Sequence, residues 1–150
     1  MNNTSAGNNP EVRPLRVAEY KQVKSLDDSF YIELLKHECR RDINAHANWE
    51  YAGLYVDKRV YGSRDDYAFP AFQHLMDDAM AGKIDLILAN SMSSFGTSYP
   101  DCLLRVHELM LRNIGVYFKL ESYDTLNPGK EFTLFTIAAL THVELDRKGF

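Results

Sequence analysis

Short apolar runs alternate with longer stretches of helical period along most of the chain. Leu15, Val17 and Val23 stand among polar residues in 15–23 (LRVAEYKQV), which reads as a first strand. The stretch 25–28 (SLDD) offers Ser25 and Asp28 as N-cap groups, Ser25 being the serine read in that role. Phe30, Leu34, Leu35 and Cys39 then recur at helical spacing to about Asn44. Residues 49–56 (WEYAGLYV) form a second strand ending at Asp57, and 58–67 (KRVYGSRDDY) a charged loop long enough to be functional. Pro70 opens a second helix carrying Phe72, Leu75, Met76 and Ala79, and Gly82 closes it.

Residues 84–88 are a β-rich, mostly apolar run that reads as a buried strand. It stops in a hydroxyl-rich turn, Asn90 to Ser94, before a helix that starts near Pro100 and spans 101–112. A fourth strand at 115–120 (GVYFKL) leads to a loop over 121–130 with the turn signal Asn127-Pro128-Gly129. The last segment, 131–147, puts Phe132, Phe135, Thr136, Ala139, Leu140 and Val143 on one stripe. That stripe packs either on its own sheet or against a second subunit. The βαβαβαβα order implies an α/β domain of three layers, with helices on both faces of a mostly parallel, four- to five-stranded sheet. Ligands of such sheets sit beyond the carboxyl ends of the strands, which places a cleft at the turn 90–94.

Composition narrows the function. A chain of 150 residues, 45% hydrophobic, suits one core: a polar, Asn-rich lead-in over 1–13 that reads as disordered, then a domain over 14–150. A formal charge of −4 gives no basic footprint, so DNA cannot be held by charge alone. Cys39 and Cys102 lack metal-ligand spacing, and no two of the five histidines stand at i, i+4, so no metal is expected. No glycine-rich phosphate loop follows the first strand, which argues against a nucleotide cofactor. No apolar stretch nears the ~20 residues of a membrane span, and a cytoplasmic protein is expected.

Several fragments fall in a recognisable order. Val17-Ala18-x-Tyr20 leads into Val23-x-Ser25, followed by Trp49-Glu50-x-x-Gly53-x-Tyr55-x-Asp57 and Gly62-Ser63. Phe72-Gln73-x-Leu75-Met76, Gly82-Lys83-Ile84-Asp85-Leu86-Ile87 and Ser91-x-Ser93-x-Phe95 come next. Gly115-Val116-x-Phe118, Glu121-x-x-x-Thr125-Leu126 and Ala138-Ala139-Leu140 with Glu144 complete the series. Over about 15–147 the chain resembles the catalytic domain of the serine recombinases (resolvase/invertase family), particularly the large transposon-type members.

The resemblance implies a serine at the end of the first strand that attacks a DNA phosphodiester and forms a phosphoserine link. It also implies arginines that neutralise the crowded phosphate, since guanidinium forks match phosphate oxygens at two points. This sequence departs from both. Gln22 replaces an arginine and Lys24 the nucleophile, Ser94 and Thr97 replace two more arginines, and Phe69 lies where another is expected. Asp57, Ser93 and Glu121 remain at family positions.

Ser25 is the nearest hydroxyl to the nucleophile position, one residue late, with Lys21 or Lys24 as nearby charge and Arg64 as a relocated arginine. Asp57 is expected to make turn hydrogen bonds at its strand end, and Glu121 to accept backbone donors near the cleft. The expectation is a site-specific recombinase domain that has lost strand cleavage and acts as an oligomerising or regulatory module. The alternative is an active serine recombinase using Ser25, and a third reading is an unrelated flavodoxin-like domain. Partners would be a second subunit, through Phe132, Phe135, Ala139, Leu140 and Val143, and DNA, reached through regions outside this chain or through an active recombinase.

Overall fold

The computed structural model describes residues 13–59, 69–96 and 98–126. In order these form β1 (Leu15–Val23), α1 (Ser29–Asn44), β2 (Trp49–Lys58), α2 (Pro70–Met80), β3 (Leu86–Ala89), a 3-10 turn (Met92–Ser94), α3 (Tyr99–Met110), β4 (Gly115–Phe118) and β5 (Tyr123–Asp124). The sheet runs β2-β1-β3-β4-β5, with β5 antiparallel to β4 and the other neighbours parallel.

The two-residue period of β1 explains the layers. Ala18 and Tyr20 face a core shared with Phe72 and Leu75 of α2 and Leu103 and Val106 of α3. Val17 faces the other side, where Cys39 and Ile43 of α1 close over Leu86 and Leu88. The strands in the middle of the sheet are thus covered on both faces, as their apolar runs require. A ladder of edge-to-face rings, Tyr20, Phe72, Phe95 and Phe118, steps through the larger core at centroid spacings of 5.3, 5.0 and 5.6 Å.

Helix ends follow local chemistry, with one correction. The N-cap of α1 is Asp28, whose Oδ1 accepts from the Tyr31 amide at 3.0 Å. Ser25 lies outside the helix, and its hydroxyl accepts from the Asp27 amide at 3.1 Å. A cap must stand directly before the first turn, and a carboxylate there also meets the positive helix pole. Pro70 starts α2, and Gly82, at φ +81°, ends it, with the Gly82 and Lys83 amides bonded to Ala79 and Asp78 carbonyls. Ser98 caps α3 through the Asp101 amide at 3.2 Å, so the helix starts at Tyr99 rather than 101.

Four further expectations change. The apolar stripe of α1 is used only toward its end: Cys39 and Ile43 are buried, but Phe30 is 79% exposed and Leu34 is exposed as well. The fourth strand ends at Phe118, although the Lys119 and Leu120 amides still reach Ala89 and Asn90 carbonyls. Within the expected loop 121–130, Tyr123 and Asp124 pair with Phe118 and Tyr117 as a fifth strand, two residues being too short for any periodic signal. Arg13, assigned to the lead-in, is bound to Asp85. Residues 1–12, most of the loop (Arg64 included), Thr97, and the helix expected over 131–147 with its proposed interface residues lie outside the described residues. No described helix is long and apolar enough to cross a membrane.

Candidate functional site: a hydrogen-bonded cleft at the strand ends

The carboxyl ends of β1, β2 and β3 meet the N-terminus of α2 and the hydroxyl-rich turn. Asp57, at the end of β2, is 1% exposed and is the anchor. Its Oδ2 accepts from the Tyr20 hydroxyl at 2.8 Å and the Phe72 amide at 2.9 Å, and its Oδ1 accepts from the Ala71 amide at 2.8 Å. Phe69, the N-cap of α2, has no side-chain acceptor, so Asp57 takes over the capping from a neighbouring strand. This replaces the turn hydrogen bonds expected of Asp57: the bonded amides belong to a helix start. Burial, opposed by the Gln22 bond and reinforced by Asp57, pushes the Tyr20 hydroxyl far above its ordinary pKa, so it stays a neutral donor.

Gln22 extends the network into the turn. Its Nε2 donates to the Tyr20 oxygen at 3.2 Å and to the Ser94 carbonyl at 3.4 Å. Ser94 folds back, its hydroxyl donating to the Ser91 carbonyl at 2.9 Å. The hydroxyls of Ser91 and Ser93 share a bond of 2.8 Å, and both Glu121 oxygens accept from the Met92 amide at 3.3 Å. Glu121 therefore accepts a backbone donor, as expected, and tethers the turn. Asp57, Tyr20, Gln22, Ser94, Ser91 and Ser93 thus form one hydrogen-bonded network at the strand ends, Glu121 tethers its turn, and Phe69 lies at its α2 edge.

Among the described residues, Lys21 and Lys24 do not converge on Ser25. Lys21 points to the α1 face with the odd-numbered residues of β1, its Nζ lying 3.4 Å from Glu19. Glu19 is itself 5% exposed and is also held by Lys119 at 2.5 Å. Lys24 and Ser25 are both exposed beyond the strand end. A cation that sequence reading missed is Arg59, whose Nη2 donates to the Gln22 carbonyl at 3.4 Å and whose amide bonds Val23 at 2.7 Å. Its only sequence signal is its place two residues after Asp57.

Both cysteines are buried free thiols. Burial first, then the nearby Glu19, pushes Cys39 up to about 12, and burial followed by Asp101 does the same for Cys102. Among the described residues, no group of three or more His, Cys, Asp or Glu side chains could hold a metal ion.

A three-layer domain with this strand order and a polar cleft at the carboxyl ends is a resolvase-like α/β domain. The family model described as "Resolvase, N terminal domain" matches residues 15–149, and the chain belongs to that family, the serine recombinases. Solved structures share the fold. The N-terminal catalytic domain of TP901-1 integrase is 22% identical with a TM-score of 0.60, covering 89% of this chain and 97% of that one. A resolvase family site-specific recombinase from Streptococcus pneumoniae is 18% identical, with a TM-score of 0.62 and coverage of 89% and 91%. The C-terminal catalytic domain of ISC1926 TnpA, an IS607-like serine recombinase, is 11% identical, with a TM-score of 0.53 and coverage of 90% and 84%. No curated protein matches the chain.

Proposed function

We propose that this domain has lost DNA strand cleavage and serves as an oligomerising or regulatory module among site-specific recombinases. The observation that carries the reading is the state of Gln22. An uncharged amide stands where the family places an arginine, and its donors are turned to Tyr20 and the Ser94 carbonyl rather than to open space. A phosphoryl-transfer site needs donors aimed at an anion that forms only during reaction. Ser94 replaces a second guanidinium with a hydroxyl bonded to its own turn. Lys24 replaces the nucleophile, and the Ser25 hydroxyl is bound to the Asp27 amide without an adjacent base in the described network.

Oligomerisation through 131–147 and contact with DNA through an active recombinase complete the reading, supported by the apolar stripe of that segment and by the family. The test is incubation with supercoiled DNA carrying candidate recombination sites, followed by denaturation to trap covalent complexes. No adduct is expected from the parent or from Ser25→Ala, whereas a resolvase-family enzyme active on the same DNA gives one. An adduct from the parent that vanishes in Ser25→Ala overturns the proposal in favour of a Ser25 nucleophile.

A further inference from the structure

The opposite end of the sheet gathers three guanidinium groups. There α2 and α3 end above the starts of β1, β3 and β4, around a cavity of about 430 Å³ lined by Arg13, Arg16, Asp85, Arg112 and Asn113, among others. Asp85 precedes β3 and fixes two guanidinium groups. It accepts from Arg16 through the amide at 2.8 Å, Nε at 3.0 Å and Nη2 at 3.1 Å, and from Arg13 through Nη1 at 2.9 Å and Nη2 at 3.3 Å. Arg112 brings a third guanidinium from the end of α3, with Nη1 donating to the Met80 carbonyl at 3.4 Å.

The balance of charge and donors favours an anion. Three guanidinium groups meet two carboxylates, Asp85 at the centre and Glu50 beside Arg16 on β2, leaving a surplus of positive charge. A guanidinium carries about five N–H donors, so Arg13 and Arg16 each keep donors beyond those spent on Asp85. The negative poles of two helix ends would oppose an anion, but their carbonyls are occupied. Asp77, Asp78 and Ala79 accept from the amides after α2, and His107, Leu109 and Met110 from those after α3. The forks are also held in place before any ligand arrives, which lowers the ordering cost of binding.

We infer that this cavity is a phosphate-binding pocket, separate from the cleft. Its volume far exceeds the roughly 30 Å³ of a water molecule and admits one or two phosphate groups. Paired guanidinium forks match phosphate oxygens at two points. The pocket and the cleft lie at opposite ends of β1, about 20 Å apart by strand rise from Arg16 to Gln22. A phosphate here leaves the cleft untouched, so the inference does not depend on whether cleavage has been lost. The phosphate belongs either to a nucleic-acid backbone or to a free diphosphate.

The test follows the arginine side-chain N–H signals by NMR while sodium pyrophosphate is added to the full chain. Saturable shifts are expected at Arg13, Arg16 and Arg112. Arg112→Gln leaves the Asp85 clamp intact and is expected to weaken binding at least tenfold. Arg41→Gln, at an exposed pair with Asp42 on α1, is expected to change nothing. Shifts spread evenly over Arg40, Arg41 and Arg112, or equal affinities in the two variants, overturn the pocket. A short DNA duplex added to the loaded protein then identifies the source. Displacement of pyrophosphate from the three arginines assigns a nucleic-acid backbone, and its retention assigns a free diphosphate; both outcomes support the site.

Discussion

The two ends of this sheet solve the burial of polar groups in opposite ways. At the carboxyl end, Asp57 is satisfied by one hydroxyl and two helix amides, and Gln22 is satisfied by that hydroxyl and a carbonyl. At the amino end, Asp85 is satisfied by two guanidinium groups that retain donors for something else. The contrast shows two ways of satisfying a carboxylate at the end of a sheet, one with neutral donors and one with guanidinium groups. An acid left buried without partners costs several kcal/mol, and Asp57 escapes that cost because its partners are a core tyrosine and the start of α2. Asp57 thus ties β1, β2 and the start of α2 together through neutral donors alone.

The sharpest way to break the comparison is to remove the anchor of the carboxyl end. Asp57→Ala strands the Tyr20 hydroxyl and two amides of α2, and is expected to destabilise by about 3–4 kcal/mol in urea unfolding. A loss below about 1 kcal/mol would mean that α2 is capped in another way. Glycines at the two ends give the next largest contrast. At Gly96, φ +117°, an added Cβ would lie 2.8 Å from an Asp101 oxygen and 2.9 Å from the Cys102 amide nitrogen. Gly96→Ala should cost about 2–3 kcal/mol and loosen the turn. Gly82, φ +81°, has open space around it, so Gly82→Ala should cost only about 1 kcal/mol by the same measurement.

A further effect depends on pH and belongs to the amino end. Burial opposes ionisation of Asp85, but the bonds from Arg16 and Arg13 outweigh it and hold its carboxyl well below the ordinary carboxylate value. A depressed native pKa gives stability that is complete above about pH 4 and fades as the pH falls through the native value. Asp85→Asn should therefore cost about 1–2 kcal/mol at neutral pH and flatten the acid limb of a stability–pH curve. A parallel acid limb in parent and variant would remove the clamp from the account.

Much of the architecture was legible because it rests on local period. The alternation in β1, the apolar run before Asn90, Pro70 at a helix start and Gly82 after a helix end each encode an element through nearby residues. The identities at the expected arginine positions were legible too, since Gln22 and Ser94 carry no guanidinium group in any conformation. Partners were another matter. Lys21 was read as a charge for the cleft, but strand alternation turns it to Glu19, where Lys119 arrives from the far end of the chain. Ser25 and Asp28 both carry capping groups, and only the helix start selects Asp28.

Sequence alone thus determined most of the described elements, their order, and where guanidinium groups are and are not found along the chain. Tertiary structure decided which groups meet: Asp57 with the start of α2, Asp85 with Arg13 and Arg16, and Gln22 with the Ser94 carbonyl. The reason is one of range. Hydrophobic period acts over a few neighbouring residues, whereas these bonds close between residues far apart in the chain only after the sheet has packed.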